Sequence, residues 1–146
     1  MKSNKLEDLK EEKNLKGRDI AKDFNIAEST YSEWEHSKIA IPTRRLVEFS
    51  NYYEVNIDYL LNLSNERLPI TTANKINLVD IGNRLKDIRK KLNLSLRDLG
   101  SKLNTAFSSL ASYERGEKLI QVDTLISLCK LSDTSIDYIL GTNLKK

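Results

Sequence analysis

Along most of this chain the apolar residues recur at intervals of three and four, with charged or small polar residues between them. That periodicity predicts amphipathic helices from end to end and no sheet. It is clearest over residues 95–116, SLRDLGSKLNTAFSSLASYERG. Ser95 is a good N-cap, and Leu96, Leu99 and Leu103 then share one side of a helix with the small Gly100. Asn104 follows, a residue that tolerates the positive φ of a sharp turn. A second helix is expected over residues 106–115, burying Leu110 and Tyr113 and turning Phe107, Ser108, Ala111, Ser112 and Arg115 outward. Gly116 ends it as a C′ residue.

Subtracting 79 from each position brings up the same pattern. Ser95 falls on Lys16, Leu99 on Ile20, Gly100 on Ala21, Leu103 on Phe24 and Asn104 on Asn25. Leu110 falls on Tyr31, Tyr113 on Trp34 and Glu114 on Glu35. The register holds without a gap from residues 4–62 against 83–141, and closes with Ile57-Asp58-Tyr59-Leu60-Leu61 over Ile136-Asp137-Tyr138-Ile139-Leu140. The chain is an internal duplication, because the matches fall on the apolar, turn and cap positions that a shared fold requires. The first copy is expected to form helices at residues 5–13, up to 24, 27–36, 43–53 and 57–63, with Pro42 beside the start of the fourth. The second is expected at 81–92, 95–103, 106–115, 122–131 and 135–140, with residues 142–146 a frayed tail. Between the copies, SNERLPITTANKINLVD has no counterpart and reads as a connector. Its Leu68, Ile70, Ile76, Leu78 and Val79 suit packing on a neighbour better than free swinging. The expected architecture is all-α: domains at residues 1–63 and 81–146 joined by a linker at 64–80.

With 146 residues, the chain divides into two units near the lower size limit for independent folding. Charged residues at 31% and hydrophobic ones at 39% describe a globular rather than a disordered chain. No apolar run reaches the length of a membrane span, and the start lacks the apolar core of a signal peptide, so a cytoplasmic location is expected. The one cysteine, Cys129, agrees with that compartment and reads as a buried, inert thiol. Net charge is +3 overall, but residues 1–63 carry ten Lys or Arg against twelve Asp or Glu, and residues 64–146 carry fourteen against nine. The second copy is therefore the better candidate to hold a polyanion.

Two short helices about a tight turn present the second helix to a groove, and small polar side chains on its outer face suit base edges. The order of five helices, the Tyr-Glu-Arg-Gly ending of the third and the Ile-Asp-Tyr-Ile-Leu-Gly-Thr close resemble the lambda-repressor and Cro-like (XRE) helix-turn-helix family, twice over. The resemblance implies two tandem five-helix, lambda-repressor-like DNA-binding domains. It also implies an ion pair between Arg89 and Glu114, matched by Lys10 and Glu35, which reads as a structural clamp of the first helix on the third. By position it places DNA-binding residues at Phe107, Ser108 and Ser112 in the second copy and at Glu28, Ser29 and Glu33 in the first, with Ser32 on the same outward face. Arg115 and Lys118 fall where phosphates pass. Lys90 and Lys91 read either as phosphate contacts or as a solvated helix end that suits the dipole. The family commonly carries Gln at the second position of its second helix, where this chain has Gly17 and Leu96. Glu28 and Glu33 also have the wrong sign for phosphate, although Glu can accept from cytosine N4.

Trp34 and Tyr113 read as core-edge packing, and Tyr59 and Tyr138 as structural or part of a domain or dimer contact. His36 is the only histidine, so no metal site is expected, and without a nucleophile–base set or phosphate loop neither is catalysis or a cofactor. The expected function is a sequence-specific transcriptional regulator on double-stranded DNA, a repressor of phage or mobile-element type, with a homodimer as a further expectation. The alternative is a protein-interaction module, such as an antitoxin or anti-repressor, that uses the acidic first copy. The connector, about 56 Å if fully extended, would exceed the roughly 34 Å between successive major-groove faces.

Overall fold

The computed structural model describes residues 3–142, so all but Thr142 of the expected C-terminal tail at 142–146 lies outside it. Ten helices follow in order: α1 (Leu6–Glu12), α2 (Gly17–Asp23), α3 (Glu28–Glu35), α4 (Thr43–Tyr53), α5 (Ile57–Leu60), α6 (Leu78–Lys91), α7 (Leu96–Leu103), α8 (Phe107–Glu114), α9 (Val122–Ser132) and α10 (Ile136–Leu140). No β-strand occurs among the described residues, and none of their helices is long and apolar enough to cross a membrane. The helix order of the first five repeats in the second five.

The turns carry the left-handed residues that the pattern required. Asn25 and Asn104 have φ of 54° and 52°, and both link the second helix of their copy to the third. Ser95 caps α7 through its side chain, which accepts from the Asp98 N–H at 3.0 Å. Most boundaries fall within one residue of the sequence expectation, and two differ by three. Helix α5 stops at Leu60 rather than residue 63, because Asn62 turns left-handed at φ 58° and the Leu63 N–H reaches back to the Asp58 carbonyl. Helix α6 begins at Leu78 rather than residue 81, because the Asn77 side chain accepts from the Asp80 N–H and caps an extra turn.

The two copies fill equivalent positions differently. Tyr31, Trp34 and Tyr53 surround Phe49 with ring centroids 6.0 to 6.2 Å away, whereas Leu110, Tyr113, Ser132 and Leu128 occupy those places in the second copy. Gly17 lies beside the Tyr31 ring, 3.5 Å from where its Cβ would stand.

Buried apolar residues of both copies form one contiguous cluster, and the copies meet through α5 and α10. Asp137 accepts from the N–H groups of Ile57 and Asp58 at 2.8 and 2.9 Å. Asp58 accepts in turn from those of Ile136 and Asp137 at 3.1 and 3.4 Å. Because these residues are pairwise 79 apart, the contact is isologous: the copies are related by an internal pseudo-twofold axis, as in a symmetric dimer. A second contact departs from that symmetry. The Thr43 hydroxyl donates to the Ile120 carbonyl at 2.6 Å, while Val122, at the place equivalent to Thr43, has no hydroxyl to return the bond.

The connector lies against the first copy. The Asn56 side chain accepts from the Leu68 N–H and donates to the Glu66 carbonyl, and Asn51 and Asn74 exchange two further bonds. Arg67 forms a two-bond pair with Glu12 at 2.8 and 2.7 Å and stands over the Tyr59 ring.

Two outcomes are expected. At φ 52° Asn104→Gly should be tolerated and Asn104→Val destabilising by about 1 kcal/mol or more, read as midpoints of urea titrations; equal midpoints would count against the turn. The second concerns the carboxylate pair. Burial and the neighbouring Asp137 push the Asp58 carboxyl up to about 7. The unfolded chain ionises Asp58 from about pH 4, whereas the folded chain holds the proton, so this stabilisation is lost as pH rises from about 4 to about 7. Asp58→Asn, which cannot ionise, should therefore gain stability relative to the parent across that window. A difference that stays constant with pH would refute the shared proton.

Candidate nucleic-acid interface

Helix α8 is held from behind by α6 and from the side by α7. A Cβ on Gly82 would stand 2.6 Å from the Glu114 carbonyl oxygen, so only glycine lets α6 approach the end of α8 this closely. The main polar tie is Arg89. Its Nε donates to Glu114 at 2.6 Å, one Nη donates to the other carboxylate oxygen at 3.0 Å, and the second Nη donates to the Leu94 carbonyl at 3.0 Å. The side chains are 14% and 9% exposed, so the pair is largely withdrawn from water. The Glu114 carboxylate holds the Arg89 guanidinium above its ordinary pKa. In the first copy Lys10 makes one bond to Glu35, at 2.8 Å.

This clamp fixes which face of α8 looks outward. Phe107, Ser108 and Arg115 are exposed and Ala111 and Ser112 half-buried, while Leu110 and Tyr113 point into the core. Arg115 pairs with Glu117 through two bonds at 2.7 and 3.0 Å, which raises the pKa of the guanidinium and lowers that of the carboxylate. Both side chains are more than half exposed, so a phosphate could displace Glu117 at little cost. Lys118 is exposed in the loop that follows, near the loop carbonyl bonded by Thr43. Lys90 is exposed at the end of α6, but Lys91 lines a separate cavity beside the α9–α10 corner.

One cation escaped the sequence reading. The Arg97 guanidinium, at the start of α7, stacks 4.2 Å from the Phe107 ring centroid. Its charge is thus brought to the rim of the α8 face, a juxtaposition across two helices that linear spacing does not signal.

The equivalent face of α3 has another character. Glu28, Ser29 and Ser32 are exposed and Glu33 half-buried, with the Ser32 carbonyl and hydroxyl both near His36 Nδ1. The basic residues flanking α8 are mostly lost here: Lys102 becomes Asp23, Arg115 becomes His36 and Lys118 becomes Ile39. Only Arg97 keeps a counterpart, Arg18.

Elsewhere, Trp34 and Tyr113 are buried, as is Cys129, whose thiol is pushed up to about 12 by burial and by the Asp58 and Asp137 carboxylates. Tyr138 is 52% exposed and so lies outside the buried core.

Two five-helix units, each with a helix-turn-helix, define the class. The helix-turn-helix family model HTH_3 matches residues 6–60 and 85–139, and the chain belongs to this XRE, lambda-repressor-like family. The HTH-type transcriptional regulator ImmR of Bacillus subtilis (strain 168) is 36% identical over 63 residues, which is 43% of this chain and 50% of ImmR. YobD, an uncharacterized HTH-type transcriptional regulator of the same organism, is 41% identical over 58 residues, 40% of this chain and 52% of YobD. The chain spans about half the length of the curated relatives it matches. The P22 c2 repressor, whose crystal structure is of a complex with a synthetic operator, is 30% identical, with a TM-score of 0.40 over 41% of this chain and 91% of that one.

Removing Glu114 alone should leave a poorly solvated guanidinium and cost about 3 kcal/mol of stability. A double-mutant cycle on Arg89 and Glu114 should show clear coupling, and the cycle on Lys10 and Glu35 less, because an ammonium cannot form the two-bond fork. No coupling at Arg89 would rule out the clamp.

Proposed function

We propose that this chain is a sequence-specific DNA-binding transcriptional regulator, a repressor, whose two helix-turn-helix copies form within one polypeptide the pair that a symmetric dimer forms from two. The observation that carries the reading is the α8 face: small side chains at Ser108, Ala111 and Ser112, bordered by Arg97, Arg115 and Lys118. Ser108 and Ser112 read base edges, Phe107 meets a thymine methyl, and the three cations and Lys90 take phosphates. The isologous contact of α5 with α10 supports a paired presentation, because it relates α3 and α8 by the same pseudo-twofold axis. In this reading residues 1–63 and 81–146 are the two units, and 64–80 straps onto the first instead of reaching across DNA.

The second reading gives α3 to a protein partner. Its support is the replacement of Lys102, Phe107 and Lys118 by Asp23, Glu28 and Ile39, which removes charge and shape complementarity to a duplex. The two readings are compatible within one molecule.

Selection of binding sites from random duplex DNA with the intact chain should enrich one sequence. On that site, Lys118→Ala should lower affinity for all sequences and flatten the salt dependence by roughly one unit. Ser108→Ala should instead shift the preferred site. Failure to enrich any sequence would favour the protein-binding reading, and an unchanged salt slope would remove Lys118 from the interface.

A further inference from the structure

The start of α8 is set against α7 by a close approach. A Cβ on Gly100 would stand 2.6 Å from the Thr105 carbonyl oxygen and 3.5 Å from the Phe107 backbone nitrogen, so glycine lets α7 and the turn come this near. Arg97 lies one helical turn before Gly100 and shares its side of α7. From there its guanidinium comes to lie over the Phe107 ring, 4.2 Å from the centroid. Phe107 is the first residue of α8 and 43% exposed. Arg97 is exposed as well, and among the described residues no hydrogen bond or ion pair holds it; the ring is the contact that places it. At the equivalent positions the first copy has Arg18 and Glu28. A carboxylate there competes with any phosphate for the guanidinium, whereas a ring orients the guanidinium and leaves its charge intact.

We infer that Arg97 and Phe107 act as one reading unit: Phe107 packs on the methyl group of a thymine in the bound site, and Arg97, bonded to a phosphate beside it, is a positioning residue that holds the ring for that contact. The inference rests on the proposed binding of DNA by the α8 face, and adds to it a determinant of specificity that lies on α7. A guanidinium lying over a ring keeps its five N–H donors in its own plane, directed away from the ring, so the same group can hold a phosphate while it stacks. A free ring at a helix start samples several rotamers, and one fixed before contact loses less freedom on binding. The N-terminal residues of a recognition helix are those that approach base edges, and thymine is the base that offers an apolar group in the major groove. A phosphate contact carries no sequence information by itself. Through the ring it acquires some, because removing Arg97 removes a charge and also frees the side chain that senses the methyl.

The test uses the full chain and the duplex that it enriches from random sequence, with each thymine replaced in turn by deoxyuridine, which lacks only the 5-methyl group. At one thymine the replacement should weaken binding about fourfold, the scale of one buried methyl group. Phe107→Ala should bind the thymine and deoxyuridine duplexes equally. Arg97→Ala should weaken both, flatten the salt dependence by about one unit and shrink the fourfold ratio toward one. Arg97→Lys separates the two roles: it should keep the salt slope but not the ratio, because an ammonium has no plane to lie against the ring. Both side chains are exposed, and the deoxyuridine scan needs only the parent chain, so the outcome does not hinge on how a variant folds. An enriched site insensitive to every methyl deletion would overturn the inference while leaving the proposed function standing. A methyl effect that survives Phe107→Ala, or a ratio unchanged by Arg97→Ala, would do the same. Failure to enrich any sequence would overturn both.

Discussion

The contact between α5 and α10 is built from two carboxylates that each cap the other copy's helix. Helices of four and five residues have too few internal hydrogen bonds to persist alone, and their first N–H groups need acceptors. Asn56 stands at the N-cap of α5 but commits its side chain to the connector, so the first donors of α5 are satisfied from across the interface by Asp137. Asp58 returns the bond to α10. Each carboxylate thus faces two N–H donors and the positive end of a helix, a combination that offsets its burial; the proximity of two like charges is relieved by keeping one proton in the pair. The short last helix of each copy, the seam between copies and the pseudo-twofold axis all depend on this arrangement.

From that common frame the copies have diverged in what they show to solvent. Arg89 and Glu114, withdrawn from water and held by two bonds, lock α8 in a fixed rotation, and the residues left outside, Phe107 apart, are small or basic. The same lock in the first copy is a single Lys10–Glu35 bond, and the face it fixes is acidic. The surface beside the last helix has diverged as well: Glu12, which holds Arg67 of the connector, is replaced by Lys91 in the second copy. A duplicated scaffold can change in this way because its core and turns are constrained by packing, while side chains at its surface are not.

Much of this was legible before any coordinates. The three-and-four spacing set the ten helices, the left-handed turn residues at Asn25 and Asn104 marked the helix-turn-helix, and the constant offset of 79 made the duplication plain. These are local or strictly periodic properties, so a linear reading reaches them. The ends of α5 and α6 were missed by a few residues, since a left-handed Asn62 and an Asn77 cap compete with simple periodicity on nearly equal terms.

What the tertiary structure alone decided is how the copies combine. The Ile-Asp-Tyr motif was visible twice, but a carboxylate near a helix start looks like a cap for its own helix; that it caps the other helix depends on distances across a fold that spacing does not encode. The same holds for Arg97 over Phe107, for Arg67 reaching back 55 residues to Glu12, and for the exposure of Tyr138, whose twin Tyr59 is covered. The sequence by itself determined the helices, their repetition and the residues facing outward, because those follow from near-neighbour sterics and periodic burial. The pairing of the copies and the docking of the connector on the first were settled only in three dimensions, because they arise from contacts between segments far apart in the chain.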